Sequence, residues 1–594
     1  MSGDVDRQAM EVDIACVGFG PATAGFLATL AKNLLNSDGS PAIESRVMPG
    51  LPLQVVCYER ADDVGFGVSG VVTRARGIRA SLAELDFSRI PMAAPVVNER
   101  VVYLLDPTGA SRRSLALRLA DRAIRMLRFH RHHGCELPYV PPFLRKDGGV
   151  VLSMGQFMQH MAGEISSTGL VQIWPATPVA EALPGKTRFS VAGIRLADQG
   201  GEPGMDIHAA LTVVGDGPVG AVGRQLDERL GMPEGHHRRE WALGMKFVVD
   251  LPEAADLAAG TVFHTFGYPE PEIFGFFYVH PGNVASVGIF IPSWFRSPMR
   301  TAYRHLQHFA LHPYFWRFLK GGKLRSWGAK SLEESGRRGE PFFAGDGFAR
   351  IGEGSGSTNV LTGSGVDEAW TTGTLLAQAV VELARQSQPF TRENLERTYV
   401  ARRRASWIEV ESRIAEKSRD GFHRGAVSGL VGMALAGITG GKHSLNGEPR
   451  PMPGVEEFYG GKIPAEEVRR ILADCHARSM PAHDALMDAS GWPAIPFDGQ
   501  LLLTHQDALL VGGKVQAPAE SADHVRFRYP TLCEGCEARL CIEMCSGQAI
   551  APGGNGVPAF DREKCVYCGA CVWNCPSGAI TFAAGAGGLH SNEN

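Results

Sequence analysis

The chain has 594 residues, 44% of them hydrophobic, and 72 glycines, enough for two to four domains with a large core and many tight turns. Its 59 basic and 63 acidic residues are intermixed and leave a net charge of −4, so nucleic acid is not expected as a partner. The opening "MSGDVDRQAMEVDIACVG" has no basic stretch leading into an apolar core. No signal peptide is therefore expected, and residues 1–11 read as a loose tail. No uncharged apolar run reaches the ~18 residues of a spanning helix. Disulfides are disfavoured in a chain kept inside the cell, so clustered cysteines read as metal or redox ligands.

"VDIACVGFGPATAGFLATLAKNLL" predicts a strand, a tight glycine turn and a helix. Gly18 and Gly20 let the backbone approach a pyrophosphate at the helix N-terminus, with Pro21, Ala22 and Thr23 opening the helix. Thr23 replaces the usual third glycine, which is expected to hold helix and strand slightly apart. "LQVVCYER" predicts a second strand ending at Glu59 and Arg60, with Glu59 placed for a ribose hydroxyl. The insert "NSDGSPAIESRVMPGLP" accounts for the long gap between turn and carboxylate. Cys16 and Cys57 lie in these apolar runs and read as inert core thiols.

Further on, "RRSLALRLADRAIRMLRFHRHHG" is a basic helical stretch: a solvated face, or a dock for an acidic partner or phospholipid. "ALTVVGDGPVG" runs a strand into Gly215-Asp216-Gly217, and "FARIGEGSGSTNVLTGSGVDEAWTTG" follows a strand with glycine turns and a helix. A nicotinamide dehydrogenase needs only the first motif. All three predict FAD in a glutathione-reductase-like domain assembled from separate segments. "GAVSGLVGMALAGITGG", 425–441, is too short and glycine-rich to span a bilayer. It reads either as a surface that dips into one leaflet, with basic residues at the headgroups, or as a glycine-packed helix in the core.

Eight of the twelve cysteines fall near the C-terminus in two copies of one theme. The second reads Cys565-x2-Cys568-x2-Cys571-x3-Cys575-Pro576, the bacterial ferredoxin run, whose fourth cysteine ligates the other cluster. The first reads Cys533-x2-Cys536-x4-Cys541-x3-Cys545, with Ser546 in place of proline. Cys533, Cys536, Cys541 and Cys575 are thus expected on one [4Fe–4S] cluster, and Cys545, Cys565, Cys568 and Cys571 on the other. The alternative, zinc, uses two separated pairs per ion, which this spacing fits less well.

Over almost its whole length the chain resembles the electron transfer flavoprotein–ubiquinone oxidoreductase family. The resemblance rests on the FAD turns and on "GFGVSG" (65–70), "FHTFGYP" (263–269), "GGKLRSWGAKSLEESG" (321–336), Gly352, Gly356, Asn359-Val360, Gly365 and Gly373. It implies FAD contacts from Gly70, Gly352, Glu353, Asn359, Val360 and Gly365. It also implies quinone contacts from Gly267, with His264 and Tyr268, against the plain reading of sheet residues. Segment 425–441 falls where the family is monotopic on its membrane. Two departures stand out. The family's single cluster corresponds to Cys545, Cys565, Cys568 and Cys571, so the other four cysteines restore a second. Glu353 is at a variable position, free to meet the ribityl chain or to pair with nearby basic residues.

The expected architecture is α/β. The FAD-binding domain is built from 12–110, 145–225 and 340–390, and a mixed-sheet substrate or quinone domain from 111–144 and 226–339. A helical region with linker occupies 391–524, and a two-cluster ferredoxin-like domain occupies 525–583. The expected function is transfer of electrons from a reduced electron transfer flavoprotein, or a similar donor, through two [4Fe–4S] clusters and FAD to a membrane quinone. The expected location is cytoplasmic, peripheral on the inner face of the cell membrane. The alternatives are a soluble ferredoxin-fused flavin reductase that saturates a polyprenyl-like substrate, or an electron-transfer subunit of a larger complex.

Overall fold

The structure is a computed structural model that describes residues 7–65, 70–511 and 523–585. The centre of "GFGVSG", most of the linker ahead of the cysteines and the C-terminal tail lie outside the described residues. The first strand, Ala9–Val17, is buried from Val12 onward and takes the middle of a sheet. A run with no polar alternation suits a parallel strand covered on both faces. It pairs in parallel with Val55–Tyr58 on one side and Asp206–Val214 on the other. Val171–Trp174 and Phe348–Arg350 extend the sheet in parallel, and Ala344–Gly345, Val179–Pro184 and Val191–Leu196 complete it. The strand starts at Ala9, and Arg7 pairs with Asp198, so the expected tail is shorter than 1–11.

Glycine contacts lock two helices onto this sheet. The opening helix, Pro21–Ala31, meets the long helix Val366–Arg385. A Cβ on Gly373 would fall 1.8 Å from the Ala22 carbonyl oxygen, and one on Gly25 would fall 2.6 Å from that of Trp370. Fully buried Trp370 fills the space beside this crossing, which contributes roughly 1.5–3 kcal/mol of apolar transfer. Cys16 and Cys57 are register neighbours and wholly buried, and burial pushes both thiols up, as inert core residues require.

The second sheet has seven strands, in the order Lys323–Glu333, Trp241–Asp250, Val284–Pro292, Phe274–His280, Thr261–Phe266, Asn98–Leu104 and Gly134–Glu136. Only Thr261–Phe266 and Asn98–Leu104 pair in parallel. Asn98–Leu104 therefore belongs to this sheet, although it lies inside the segment 12–110 expected for the FAD domain. Residues 391–511 are helical, and Trp492, Leu501, Leu503 and Ala508 from this region fill the core of the second sheet. The C-terminal unit has two small two-stranded sheets, Val525–Phe527 with Ile580–Phe582 and Ile550–Ala551 with Ala559–Phe560. Two single-turn helices, Leu540–Glu543 and Ala570–Trp573, repeat its pseudo-symmetry.

Because a Cβ at position 373 has nowhere to go, Gly373→Ala is expected to lose about 2 kcal/mol or more of stability. Chemical denaturation monitored by tryptophan fluorescence measures this, and an unchanged midpoint would mean the helices separate freely.

Candidate redox site

Three glycine turns that are distant in sequence close on one another. Gly18 adopts φ +82°, and a Cβ there would lie 3.0 Å from the Gly215 carbonyl oxygen. Gly354 would meet the Gly217 carbonyl oxygen at 2.6 Å, and Gly352 would meet the Ala22 methyl at 2.9 Å. Gly20, at the N-cap of the opening helix, faces open space. No side chain caps that helix end, and its first turn carries no acidic residue, so its positive end is left for an anion.

Thr23, which replaces the third glycine, is fully buried, and its hydroxyl finds no hydrogen-bond partner. A Cβ on Gly215 would lie 2.4 Å from that hydroxyl, so Gly215 supplies the room that a glycine at 23 would give. Glu59 accepts hydrogen bonds from the Phe19 N–H at 2.8 Å and the Ala61 N–H at 3.0 Å. Both carboxylate oxygens keep a lone pair for a further donor beside the turn. Arg60 turns the other way and stacks on Tyr567 of the C-terminal unit, 3.7 Å from its ring centroid.

The second turn differs from the first. Asp216 accepts from the Gly223 N–H at 3.0 Å and so caps the next helix, Ala221–Leu230, with its own carboxylate. Burial raises the Asp216 carboxyl above its ordinary range. Gly217 has φ +78°.

In the third segment, Glu353 pairs with Lys330 at 3.5 Å and accepts the Glu333 N–H at 3.1 Å. Of its two expected roles, the structure displays the pairing with a basic residue. Asn359 folds the turn before the long helix by accepting the Leu361 and Thr362 N–H groups at 3.2 Å each. Val360 is buried in an apolar cluster with Phe143 and Met433. Gly365 is the N-cap of the long helix and again has no side-chain cap. Asp367 there accepts from the Arg76 and Gly77 N–H groups at 2.7 and 2.8 Å. Burial pushes Glu368 up to about 7, and the Ser364 hydroxyl donates to it at 2.7 Å.

The expected quinone residues are dispersed. His264 Nε2 lies 2.8 Å from Glu99 Oε1, at the middle of the second sheet. Gly267, at φ +101°, presses on the Tyr103 ring, and its carbonyl accepts from Arg113. Tyr268 is 2% exposed and packs among His312 and Trp492, in the core. Gly70, at φ +85°, sits against the sheet: a Cβ there would lie 2.1 Å from Ser286 Oγ and 3.2 Å from Lys246 Nζ. Lys246 is absent from the sequence reading, although a lone charge in the buried run "WALGMKFVV" is a signal for it.

The cysteines of the two repeats lie close enough to act on one another. Burial first, then the sulfurs of Cys575, Cys536, Cys533 and Cys545, push the Cys541 thiol up to about 12. Burial, then Cys568, Cys545, Cys565 and Cys541, push Cys571 well above its ordinary value. Backbone N–H groups donate to Cys545 from Ala549 at 3.1 Å and to Cys575 from Ala579 at 3.3 Å, equivalent bonds in the two repeats. Among the described residues no three His, Cys, Asp or Glu side chains gather as ligands of a single ion would.

This unit is docked on the flavoprotein body through several contacts. The Ser331 N–H donates to the Cys568 carbonyl at 3.0 Å. Trp573 Nε1 donates to Ser331 Oγ at 2.8 Å, and its ring stacks on Trp241 at 6.0 Å with an interplanar angle of 5°. Gly569 lies against Val219, two residues past Gly217.

A family model described as "ETF-QO, ubiquinone-binding" matches residues 241–332, and one for a 4Fe-4S binding domain matches 558–581. The electron transfer flavoprotein-ubiquinone oxidoreductase of Pseudomonas aeruginosa is 23% identical over 98% of this chain and 99% of its own length. The mitochondrial enzyme of Oryza sativa is 24% identical, over 98% and 92%. Among solved structures, a geranylgeranyl bacteriochlorophyll reductase-like protein from Thermoplasma acidophilum superposes at TM-score 0.48 and 15% identity, covering 78% of this chain and 99% of that one. Fold and matches together define a flavoprotein oxidoreductase with a 4Fe-4S binding domain. Over almost its whole length the chain is similar to electron transfer flavoprotein-ubiquinone oxidoreductases.

Glu59→Ala would leave the Phe19 and Ala61 N–H groups without acceptors, at about 1–3 kcal/mol each where buried. Amide exchange in peptides covering 12–24 is expected to quicken roughly tenfold or more. Glu59→Gln, which keeps one acceptor oxygen, should fall between that variant and the parent.

Proposed function

We propose that this protein carries electrons from a reduced electron transfer flavoprotein, or a donor of that kind, through two [4Fe–4S] clusters and FAD to a membrane quinone. The observation that carries the proposal is the seam: the loop bearing Cys568 is hydrogen-bonded to the quinone-domain sheet and packed beside the second glycine turn. An electron path needs its groups close and fixed, and this interface supplies that.

When bound, the clusters supply one-electron transfer and the flavin two-electron storage. In this reading Cys533, Cys536, Cys541 and Cys575 hold one cluster, and Cys545, Cys565, Cys568 and Cys571 hold the other. Gly18, Gly20 and the uncapped helix end receive the pyrophosphate, Glu59 receives the ribose, and Gly70, Gly352 and Gly365 border the flavin. Pro21 lacks an N–H at the first helical position, where none is missed. His264, paired with Glu99, and Gly267 remain the quinone candidates. Tyr268 is too enclosed to touch a ligand without repacking.

Membrane docking is supported by two apolar surfaces. The helix Ala426–Thr439 turns Ala426, Gly429, Gly432 and Ala436 inward and leaves Val427, Val431 and Ile438 outside, Ile438 at 80% exposure. The glycines at 429 and 432 pack inward, and the branched residues face out. The helix Leu115–Met126 likewise exposes Leu115, Leu119 and Met126 beside Arg118, Arg122 and Arg125. Apolar residues flanked by arginines suit a leaflet surface. Among the described residues no helix is long and apolar enough to cross a membrane.

Iron analysis of the purified protein is expected to give about eight atoms per chain, two four-iron clusters, with about four left in Cys541→Ser. Four in the parent would remove the second cluster. Reduced electron transfer flavoprotein should support turnover with a short-chain quinone, and a protein full of iron and flavin yet inert to both would defeat the proposal. Flotation with anionic vesicles should carry the parent upward and lose the combined V427D, V431D and I438D variant.

A further inference from the structure

Lys246 is 2% exposed and sits midway along Trp241–Asp250, the strand next to the edge of the second sheet. Its register neighbours on either side are Gly288 and Gly328, and the Phe276 ring fills the space over Gly288, 2.3 Å from where a Cβ would stand. A Cβ on Gly288 would already lie 2.8 Å from the Lys246 Cβ. From above, Gly70 closes on its ammonium nitrogen, and a side chain at 70 would fall 3.2 Å from it. Among the described residues no carboxylate pairs with Lys246, whereas buried lysines elsewhere in proteins nearly always have partners.

The charged and titratable groups facing Lys246 do not offset its charge. Lys330, from the neighbouring strand Lys323–Glu333, repels it and is itself paired with Glu353. His280, on Phe274–His280, bonds to Ser286 Oγ and to the Met92 carbonyl, both at 2.9 Å, and burial pushes it down to about 4, so it is neutral. Tyr278 on the same strand is pushed up by burial and stays a phenol. The strand above, Val71–Thr73, carries no titratable side chain. Burial, and then Lys330, press the Lys246 ammonium well below its ordinary value. Burial disfavours the charged form of such an amine, and an anion within about 4–6 Å favours it again.

We propose that Lys246 is the proton-accepting group of the redox site, gaining one solvent proton for every two electrons that reach a flavin bound against Gly70. This inference rests on the proposed function only in placing flavin there. The electrons come from the donor flavoprotein, or from dithionite in a titration. One proton goes to the flavin and a second forms an N–H bond at Lys246 Nζ, with no heavy-atom bond made or broken. Both protons leave when the electrons pass to the acceptor.

The test is the pH dependence of the bound flavin's midpoint potential between pH 7.5 and 9, followed at the flavin's visible band. A pH unit is a tenfold change in proton activity, so each proton per two electrons gives about 30 mV per unit. The parent is expected to fall by about 59 mV per unit, two protons per two electrons. Lys246→Met should fall by about 30 mV per unit, one proton only. Lys246→Arg, permanently charged, should also show the shallow slope, but at a higher midpoint than the methionine variant. Equal slopes in the parent and either variant overturn the proposal. If the methionine variant fails to hold flavin, the arginine variant decides alone. A parent chain that binds no flavin would instead sink the proposed function.

Discussion

The architecture depends on a steric constraint: at three places, backbones from distant segments approach more closely than any Cβ allows. Gly18 against Gly215, Gly354 against Gly217 and Gly373 against Ala22 each leave 1.8–3.0 Å where a methyl would stand. Real Cβ contacts are longer, so these positions admit glycine alone. The closures join three chain segments into one site and aim an uncapped helix end at open space. The same logic explains Thr23. The close contact has moved from helix to strand end, and Gly215 bears the requirement that a glycine at 23 normally meets.

The second sheet works by the opposite device. Gly244, Gly288 and Gly328 lie around Lys246 in the three strands at one end of the sheet, and aromatic rings pack over the first two. Burying an unpaired amine is unfavourable, and nothing in the fold requires it, since a methionine would fill the same volume. Strain of this kind, kept where the sheet faces the glycine turns, is what a functional site leaves behind.

Much of this was legible in the chain. The glycine turns, the carboxylate after the second strand and the cysteine spacing are local patterns, and local patterns survive without a fold. Cys16 and Cys57 were readable as core because burial follows from an apolar run. The role of Asp216 as a helix cap was hidden, because a cap and a ligand contact look alike in "GDGPVG". So was the inward turn of Tyr268, which depends on His312 and Trp492 from remote segments. The allegiance of Asn98–Leu104 was hidden too, since strand pairing is decided by the partner. Segment 425–441 was ambiguous because the sequence does not say which face of its helix packs: its small residues turn inward, and its branched residues do not.

The imperfect repeat at the C-terminus has a physical rationale of its own. Where the second copy has Pro576, the first has Ser546, and that serine is buried with its hydroxyl accepting from Cys568 Sγ at 3.4 Å. A proline offers no such hydroxyl. Hydrogen bonds to ligand sulfurs stabilise the more reduced, more negative state of a cluster and raise its potential. The substitution therefore acts on the group that Cys545 and Cys568 are expected to share, at the seam with the flavoprotein body. A symmetric pair of clusters has no preferred direction for an electron between them. One serine, together with the asymmetric docking through Ser331 and Trp573, makes the surroundings of the two repeats unequal.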